Sequence, residues 1–258
     1  MAEAHRLIAS DKPEDAATLK ALFNPCFDNT NDTEDNRGTF ERQLFMKFQG
    51  IAQYNYVDAT GSSSLSKVCA AFADVSISPV EKLSRFVNNR GGDNCTYNRF
   101  EGYVEYYKNV TVAPEAWSRQ WFYQTCAEFG FGQTTASGHG AFSPLKFGTI
   151  DVVQHKLCDA VFGIKDGDAR AAATIKTYGG LKIDVENVVF SSGTIDPWTG
   201  LSLTNATGTV NAKSQVIDIE GTSHCRDMDS REPTDSGHLV WAHQRIEAAV
   251  DGFLRNKC

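Results

Sequence analysis

Apolar residues recur at helical spacing through the first part of the chain. Phe40, Leu44, Phe48 and Ile51 share one helix face, Leu65, Val68 and Phe72 repeat the pattern, and Val80, Leu83 and Val87 do so again after Pro79. Further upstream, Pro13 stands where a first helical turn begins, with Ser10 and Asp11 as cap candidates, and leads into Ala17, Leu19, Leu22 and Phe23. The turn-rich stretch Asn88-Asn-Arg-Gly-Gly-Asp-Asn94 closes this region. No alternating strand pattern precedes it, so residues 1–88 are predicted to form a small all-helical layer.

The pattern then changes. Trp117-Ser-Arg-Gln-Trp-Phe-Tyr-Gln-Thr-Cys126 is dense in aromatics and reads as strand and loop, and Gly130 to Gly148 reads as an irregular surface loop. Val185-Glu-Asn-Val-Val-Phe190, closed by Ser191-Ser-Gly193, suits a buried strand with a sharp exit. Gln215-Val-Ile-Asp-Ile219 is β-branched and ends at Gly221. From about Leu239 a helical stripe returns in Leu239, Ala242, Ile246, Val250 and Phe253. Strand, loop, strand, loop and helix predict an α/β layer at the C-terminal end.

Composition narrows the possibilities. The 258 residues carry 25 Lys+Arg against 32 Asp+Glu, a net charge of −7, with no basic block to neutralise a nucleic-acid backbone. No apolar run approaches the ~18–20 residues of a membrane span. Seven cysteines stand at 26, 69, 95, 126, 158, 225 and 258, without a C-x-x-C pair or zinc-type spacing. Sequons at Asn31, Asn94, Asn109 and Asn205, alongside scattered cysteines, favour an oxidising, secretory history over a cytosolic protein with free thiols. The first residues, MAEAHRLIASDKPED, hold no apolar signal-peptide core, so the expectation is that the full-length protein begins further upstream.

Chemistry gathers at the two strand exits. Gly193-Thr-Ile-Asp196-Pro-Trp198 follows the first and Gly221-Thr-Ser-His224-Cys225 the second. Reactive groups of open α/β sheets lie outside the carboxyl ends of strands. An Asp after one strand and a His after the next is the end of the Ser…Asp…His order of α/β-hydrolases, in which Asp orients a His that takes the nucleophile's proton. On spacing alone, a turn Asp-Pro and a solvated loop His fit as well. His139, His155, His238 and His243 read as polar surface residues with no metal-ligand spacing.

Five ordered segments make the sequence recognisable. Trp-Phe-Tyr-Gln-Thr-Cys-Ala-Glu-Phe-Gly-Phe (121–131), Leu-Cys-Asp-Ala-Val-Phe-Gly (157–163), Tyr-Gly-Gly (178–180), Val-Val-Phe-Ser-Ser-Gly-Thr-Ile-Asp-Pro-Trp (188–198) and Gly-Thr-Ser-His-Cys-Arg-Asp-Met (221–228) resemble the serine carboxypeptidase S28 family. The resemblance runs through the chain, most strongly from residue 117. It implies an α/β-hydrolase whose helical cap is inserted after the nucleophile strand. Residues 1–88 would then be cap, and 89–258 the C-terminal half of the hydrolase domain.

The resemblance also implies roles. Asp196 and His224 match the triad Asp and His, and no metal or organic cofactor is needed. The family's Gly-x-Ser-x-Gly nucleophile segment does not occur in this sequence, so the chain is expected to begin after its own nucleophile and to be inactive alone. Losing the nucleophile costs about a million-fold in subtilisin. Trp198 would wall a proline pocket or simply pack beneath its loop. Glu128 and Gln124 would line the substrate groove, with a simple surface role the alternative for Glu128. The family pattern pairs Cys126 with Cys158 and Cys69 with Cys95, leaving Cys26, Cys225 and Cys258 with at most one bridge. The implied activity is that of a secreted or lysosomal serine exopeptidase acting on peptides, dipeptidyl-peptidase or carboxypeptidase in type. The alternative is a truncated, non-catalytic paralogue that binds through its helical layer.

Overall fold

The computed structural model describes the chain except residues 28–32, 58–61, 89–94, 96–98, 114–116, 136–137 and 256–258. It is rich in helix, 57% of residues, with a small parallel sheet. Two compact units are present: residues 1–47 with 71–174, and residues 48–70 with 175–258.

In the first unit, α1 (Ala2–Ala9) buries Ala4, Leu7 and Ile8, and α2 (Pro13–Phe23) packs against it through Leu19 and Phe23. Pro13 opens α2 as expected, but the cap is Lys12 without a side-chain bond. Ser10 instead donates its hydroxyl to Asp15 Oδ2 at 2.6 Å, and Asp11 pairs with Arg37. The long α3 (Glu34–Gln53) carries Phe40 and Leu44 into the core, and α5 (Pro79–Val87) buries Leu83. Ser78 caps α5 by accepting from the Glu81 N–H at 3.3 Å. Helix α4 (Ser64–Phe72), which falls mostly in the second unit, has no buried residue, so the apolar stripe read there does not mark core.

Helix does not stop at residue 88. It continues in α6 (Phe100–Lys108), α7 (Ser118–Gln124), α8 (Lys156–Phe162) and α9 (Gly167–Tyr178). The segment 117–126, read as strand and loop, is α7 running into a wide helical turn over Thr125–Phe129. The reason is packing: Phe122 and Cys126, four residues apart, enter one cluster with Leu157, Cys158 and Ile164, and tertiary burial outweighs the β preference of the aromatics. The described residues of 130–148 are irregular as expected, though Leu145 among them is fully buried.

Two disulfides brace this unit. Cys126 is bonded to Cys158, and Cys26 to Cys95. The second corrects the Cys69–Cys95 expectation. Cys26 lies 4.9 Å from Cys95 between Cα atoms, inside bridging range, whereas Cys69 is an exposed free thiol on α4. Cys225 is likewise free and exposed, and Cys258 lies outside the described residues.

The second unit holds β1 (Val189–Gly193) and β2 (Gln215–Ile219), paired in parallel from Val189↔Gln215 to Gly193↔Ile219. β2 has the bounds expected from its β-branched run. β1 starts four residues later than Val185, because its pairing begins only at Val189. The C-terminal helix α10 (Gly237–Arg255) lays Leu239 and Ala242, with Ile246, on Ile217 and Ile219. Ala249 rather than Val250 continues its buried face. Parallel pairing places both strand ends, and the loops that leave them, at one edge of the sheet.

Candidate active site

The strand exits are tied together by main-chain bonds. Thr194 N donates to Ile219 O at 3.0 Å, Ile195 N to Thr222 O at 3.2 Å, and Gly221 N to the Thr194 hydroxyl at 2.9 Å. Gly193 is needed where the loops cross. A Cβ on it would lie 2.0 Å from Thr222 O and 2.6 Å from Thr222 C.

Between these loops, His224 Nδ1 meets Asp196 Oδ2 at 2.8 Å. The Asp196 side chain is 9% exposed and that of His224 25%. Asp196 caps the short 3₁₀ helix Pro197–Leu201, its Oδ1 accepting from Trp198 N at 2.8 Å. One carboxylate oxygen is therefore fixed by the backbone and the other is aimed at the imidazole. An ionised Asp196 can only accept, so Nδ1 carries the proton and Nε2 is the basic nitrogen. Nε2 takes no hydrogen bond among the described residues.

The His224 loop is held on several sides. Its N–H donates to Gln53 O at 3.0 Å, and the Tyr56 hydroxyl donates to its carbonyl at 3.4 Å. Partial burial, with Asp229 nearby, pushes the Tyr56 hydroxyl up from its ordinary value, so it stays a neutral donor. Trp198 stacks on the imidazole with centroids 5.8 Å apart and planes 29° apart, and Tyr54 meets it edge-on at 5.9 Å. Beyond, Ser191 Oγ donates to Asp227 Oδ2 at 2.7 Å, and Arg226 pairs with the nearly buried Asp235 at 2.6 Å. His243, read as a surface residue, is buried on α10, with Nε2 3.0 Å from Asp227 O. It sits on the helix face that covers the sheet and anchors the turn after His224.

Among the described residues His224 Nε2 is hydrogen-bonded to no serine or cysteine. Ser191 is engaged by Asp227, and Ser192 Oγ lies 3.4 Å from the Thr199 hydroxyl. Burial, and then the charges of Asp227, Asp196 and Asp229, push the Cys225 thiol up, which keeps it protonated and a poor nucleophile.

The structure thus brings together Asp196, His224 and Trp198. Gln124 and Glu128 belong to the first unit, both exposed, on α7 and the turn that follows it. Asn109 and Asn205 are exposed, as a glycan acceptor must be, while Asn31 and Asn94 lie outside the described residues. Gln53, Tyr54 and Tyr56 were missed by sequence reasoning. They stand well over a hundred positions from His224, and no motif marks them. Among the described residues no cluster of three or more His, Cys, Asp or Glu could hold a metal ion, and no helix is long and apolar enough to cross a membrane.

An Asp–His pair at adjacent parallel strand ends has the geometry that an acid–base pair of an α/β-hydrolase requires, and comparison with known proteins gives the family. A model of the serine carboxypeptidase S28 family matches residues 1–246, and the chain belongs to that family of serine peptidases. The mouse (Mus musculus) thymus-specific serine protease is 33% identical over 168 residues, 64% of this chain and 32% of its own length. Its human (Homo sapiens) counterpart is 34% identical over 167 residues, 64% of this chain and 31% of its own length. A Caenorhabditis elegans protein carrying a provisional serine protease name is 26% identical over 254 residues, 92% of this chain and 48% of its own. The chain spans half or less of the length of these relatives.

Proposed function

We propose that this chain supplies the Asp and His of a serine-type exopeptidase of the S28 family, and that its nucleophile comes from a Gly-x-Ser-x-Gly segment outside these residues. The observation that carries this is the 2.8 Å contact between His224 Nδ1 and Asp196 Oδ2 at the ends of paired strands. In the reaction, the nucleophile's oxygen attacks the scissile carbonyl carbon and its proton passes to His224 Nε2. Collapse of the tetrahedral adduct breaks the C–N bond, and the same proton goes to the departing amine. Water then repeats the sequence, freeing the acid product. Asp196 holds the tautomer and stabilises the imidazolium, without itself becoming protonated.

Residues 1–88 are assigned to the family's helical cap and 89–258 to the hydrolase domain. The half-buried ring of Trp198 presents a flat apolar surface next to His224, which suits a proline ring before the scissile bond. Gln124 and Glu128 are assigned to substrate binding, the Glu128 carboxylate holding a peptide's amino terminus. That favours dipeptidyl-peptidase action over carboxypeptidase action. The four sequons and the two disulfides suit a secreted or lysosomal protein.

The test is a substrate panel on the native protein, comparing peptides with free and blocked amino ends. Cleavage of free-amine substrates, weakened selectively by Glu128→Gln, is the expected result. A preference unchanged by that substitution removes the Glu128 assignment. Turnover by the 258-residue chain alone would place a nucleophile within it and overturn the division proposed here.

A further inference from the structure

We infer that Gln53 is a positioning residue for His224, acting through the Trp198 indole. The inference rests on the reading of Asp196 and His224 as the acid–base pair.

Gln53 is the last residue of α3, where helix carbonyls lack an intrahelical partner. Its carbonyl is therefore available, and it accepts the His224 N–H at 3.0 Å. Its side chain reaches the other loop: Oε1 accepts from Trp198 Nε1 at 2.9 Å. Gln49, one turn earlier, donates Nε2 to the same Oε1, which fixes which end of the Gln53 amide is oxygen. The residue is 9% exposed, so this acceptor is poorly replaced by water. One residue thus touches both loops of the pair, two positions beyond Asp196 and at His224 itself.

The consequence is mechanical. The imidazole is held at Nδ1 by Asp196, on one face by the indole, 5.8 Å away and near parallel, and by the edge-on Tyr54 ring at 5.9 Å. A single hydrogen bond at Nδ1 leaves the ring free to rock about that bond, and the stacked indole removes this freedom. The bond from Nε1 to Gln53 Oε1 helps to hold the tilt of the indole against the imidazole. Without the acceptor, Nε1 turns toward water, the stack loosens, and the Nδ1–Oδ2 bond opens more often. Gln53 reaches no reacting atom, so its effect passes through Trp198.

The experiment is NMR of the full chain labelled with nitrogen-15, reading the solvent exchange of the His224 Nδ1 proton and the Trp198 indole N–H. Gln53→Met keeps the length and removes the acceptor, Gln53→Glu keeps an acceptor oxygen, and Trp198→Phe keeps a ring and removes the donor. Gln53→Met and Trp198→Phe should each speed Nδ1 exchange about five- to tenfold, the size of one neutral hydrogen bond. Gln53→Met should also abolish indole protection, and Gln53→Glu should stay within about twofold of wild type. Unchanged exchange in Gln53→Met overturns the inference. If that variant fails to fold, Trp198→Phe decides alone, and unchanged exchange there overturns it. A wild-type Nδ1 proton whose exchange ignores Asp196→Asn would instead overturn the acid–base pair, a separate result.

Discussion

Replacing Gly193 by alanine probes the geometry on which the site depends. Gly193 ends β1, and its backbone does not need a left-handed conformation, so the effect is steric. The added methyl carbon would stand 2.0 Å from Thr222 O, 2.6 Å from Thr222 C and 3.1 Å from Ser223 O, where contacts under 3.0 Å essentially never occur. All three atoms are backbone and cannot rotate aside, so the strand exits must part by about 1 Å or more. That movement strains Ile195 N–Thr222 O and Asp196 N–Gly193 O. An overpacked contact of ~1–3 kcal/mol and one lost main-chain bond of ~1 kcal/mol give a destabilisation of about 2–4 kcal/mol. For a chain of this size the melting midpoint should fall by ~5–15 °C. The same 1 Å separates Asp196 from His224, so kcat in the native peptidase should fall about 10²-fold. Calorimetry or denaturant titration reads the first effect and turnover the second. A Gly193→Ala protein within about 0.5 kcal/mol of wild type would refute the reasoning, since that is the range of a surface change.

Other expectations follow from single features. Asp196→Asn leaves the fold but presents the wrong imidazole tautomer, and kcat of the native enzyme should drop about 10⁴-fold; a loss under tenfold contradicts the role. Opening Cys126–Cys158, which closes a separation of 32 residues, should cost ~3–4 kcal/mol by the loop-entropy relation, read by urea unfolding of the double alanine variant. Alkylation of the native protein should mark Cys69 first and Cys225 more slowly, because burial and nearby carboxylates push the Cys225 thiol up, and non-reducing peptide maps should show Cys26 joined to Cys95; a Cys69–Cys95 peptide contradicts the structure. Glu41 is buried, bonded by Phe147 N and Gly148 N and by His5 Nδ1, and burial raises its carboxyl above the ordinary value. A raised folded-state value favours the protonated form, so its stability contribution is full in acid and is lost as pH rises through that value. Wild type should therefore lose stability relative to Glu41→Gln between acid and neutral pH, and the opposite trend in paired unfolding curves would count against it.

What the sequence disclosed follows the range of the interactions involved. β2 was legible because Val216, Ile217 and Ile219 are β-branched and next to a turn glycine, and α10 because its stripe persists for several turns. The meeting of Asp196 and His224 was legible because both stand in short motifs directly after strands. The start of β1 was misplaced, since Val185 and Val189 look alike until the partner strand selects between them. Trp117–Cys126 was misread because its aromatics suit strands locally, and only the Phe122–Cys126 burial against Leu157 and Cys158 makes it helical. Cys26–Cys95, the His5–Glu41 contact and Gln53 join residues distant in sequence, and nothing in their local pattern announces a partner.

In the proposed function, Asp196 and His224 activate a serine lying outside this sequence. The direct measurement is to label the native protein with a fluorophosphonate, digest it and locate the modified serine by mass spectrometry. The account predicts one adduct, on a Gly-x-Ser-x-Gly serine outside these 258 residues, lost in His224→Ala. An adduct on a serine within this sequence, or labelling that survives His224→Ala, would contradict it.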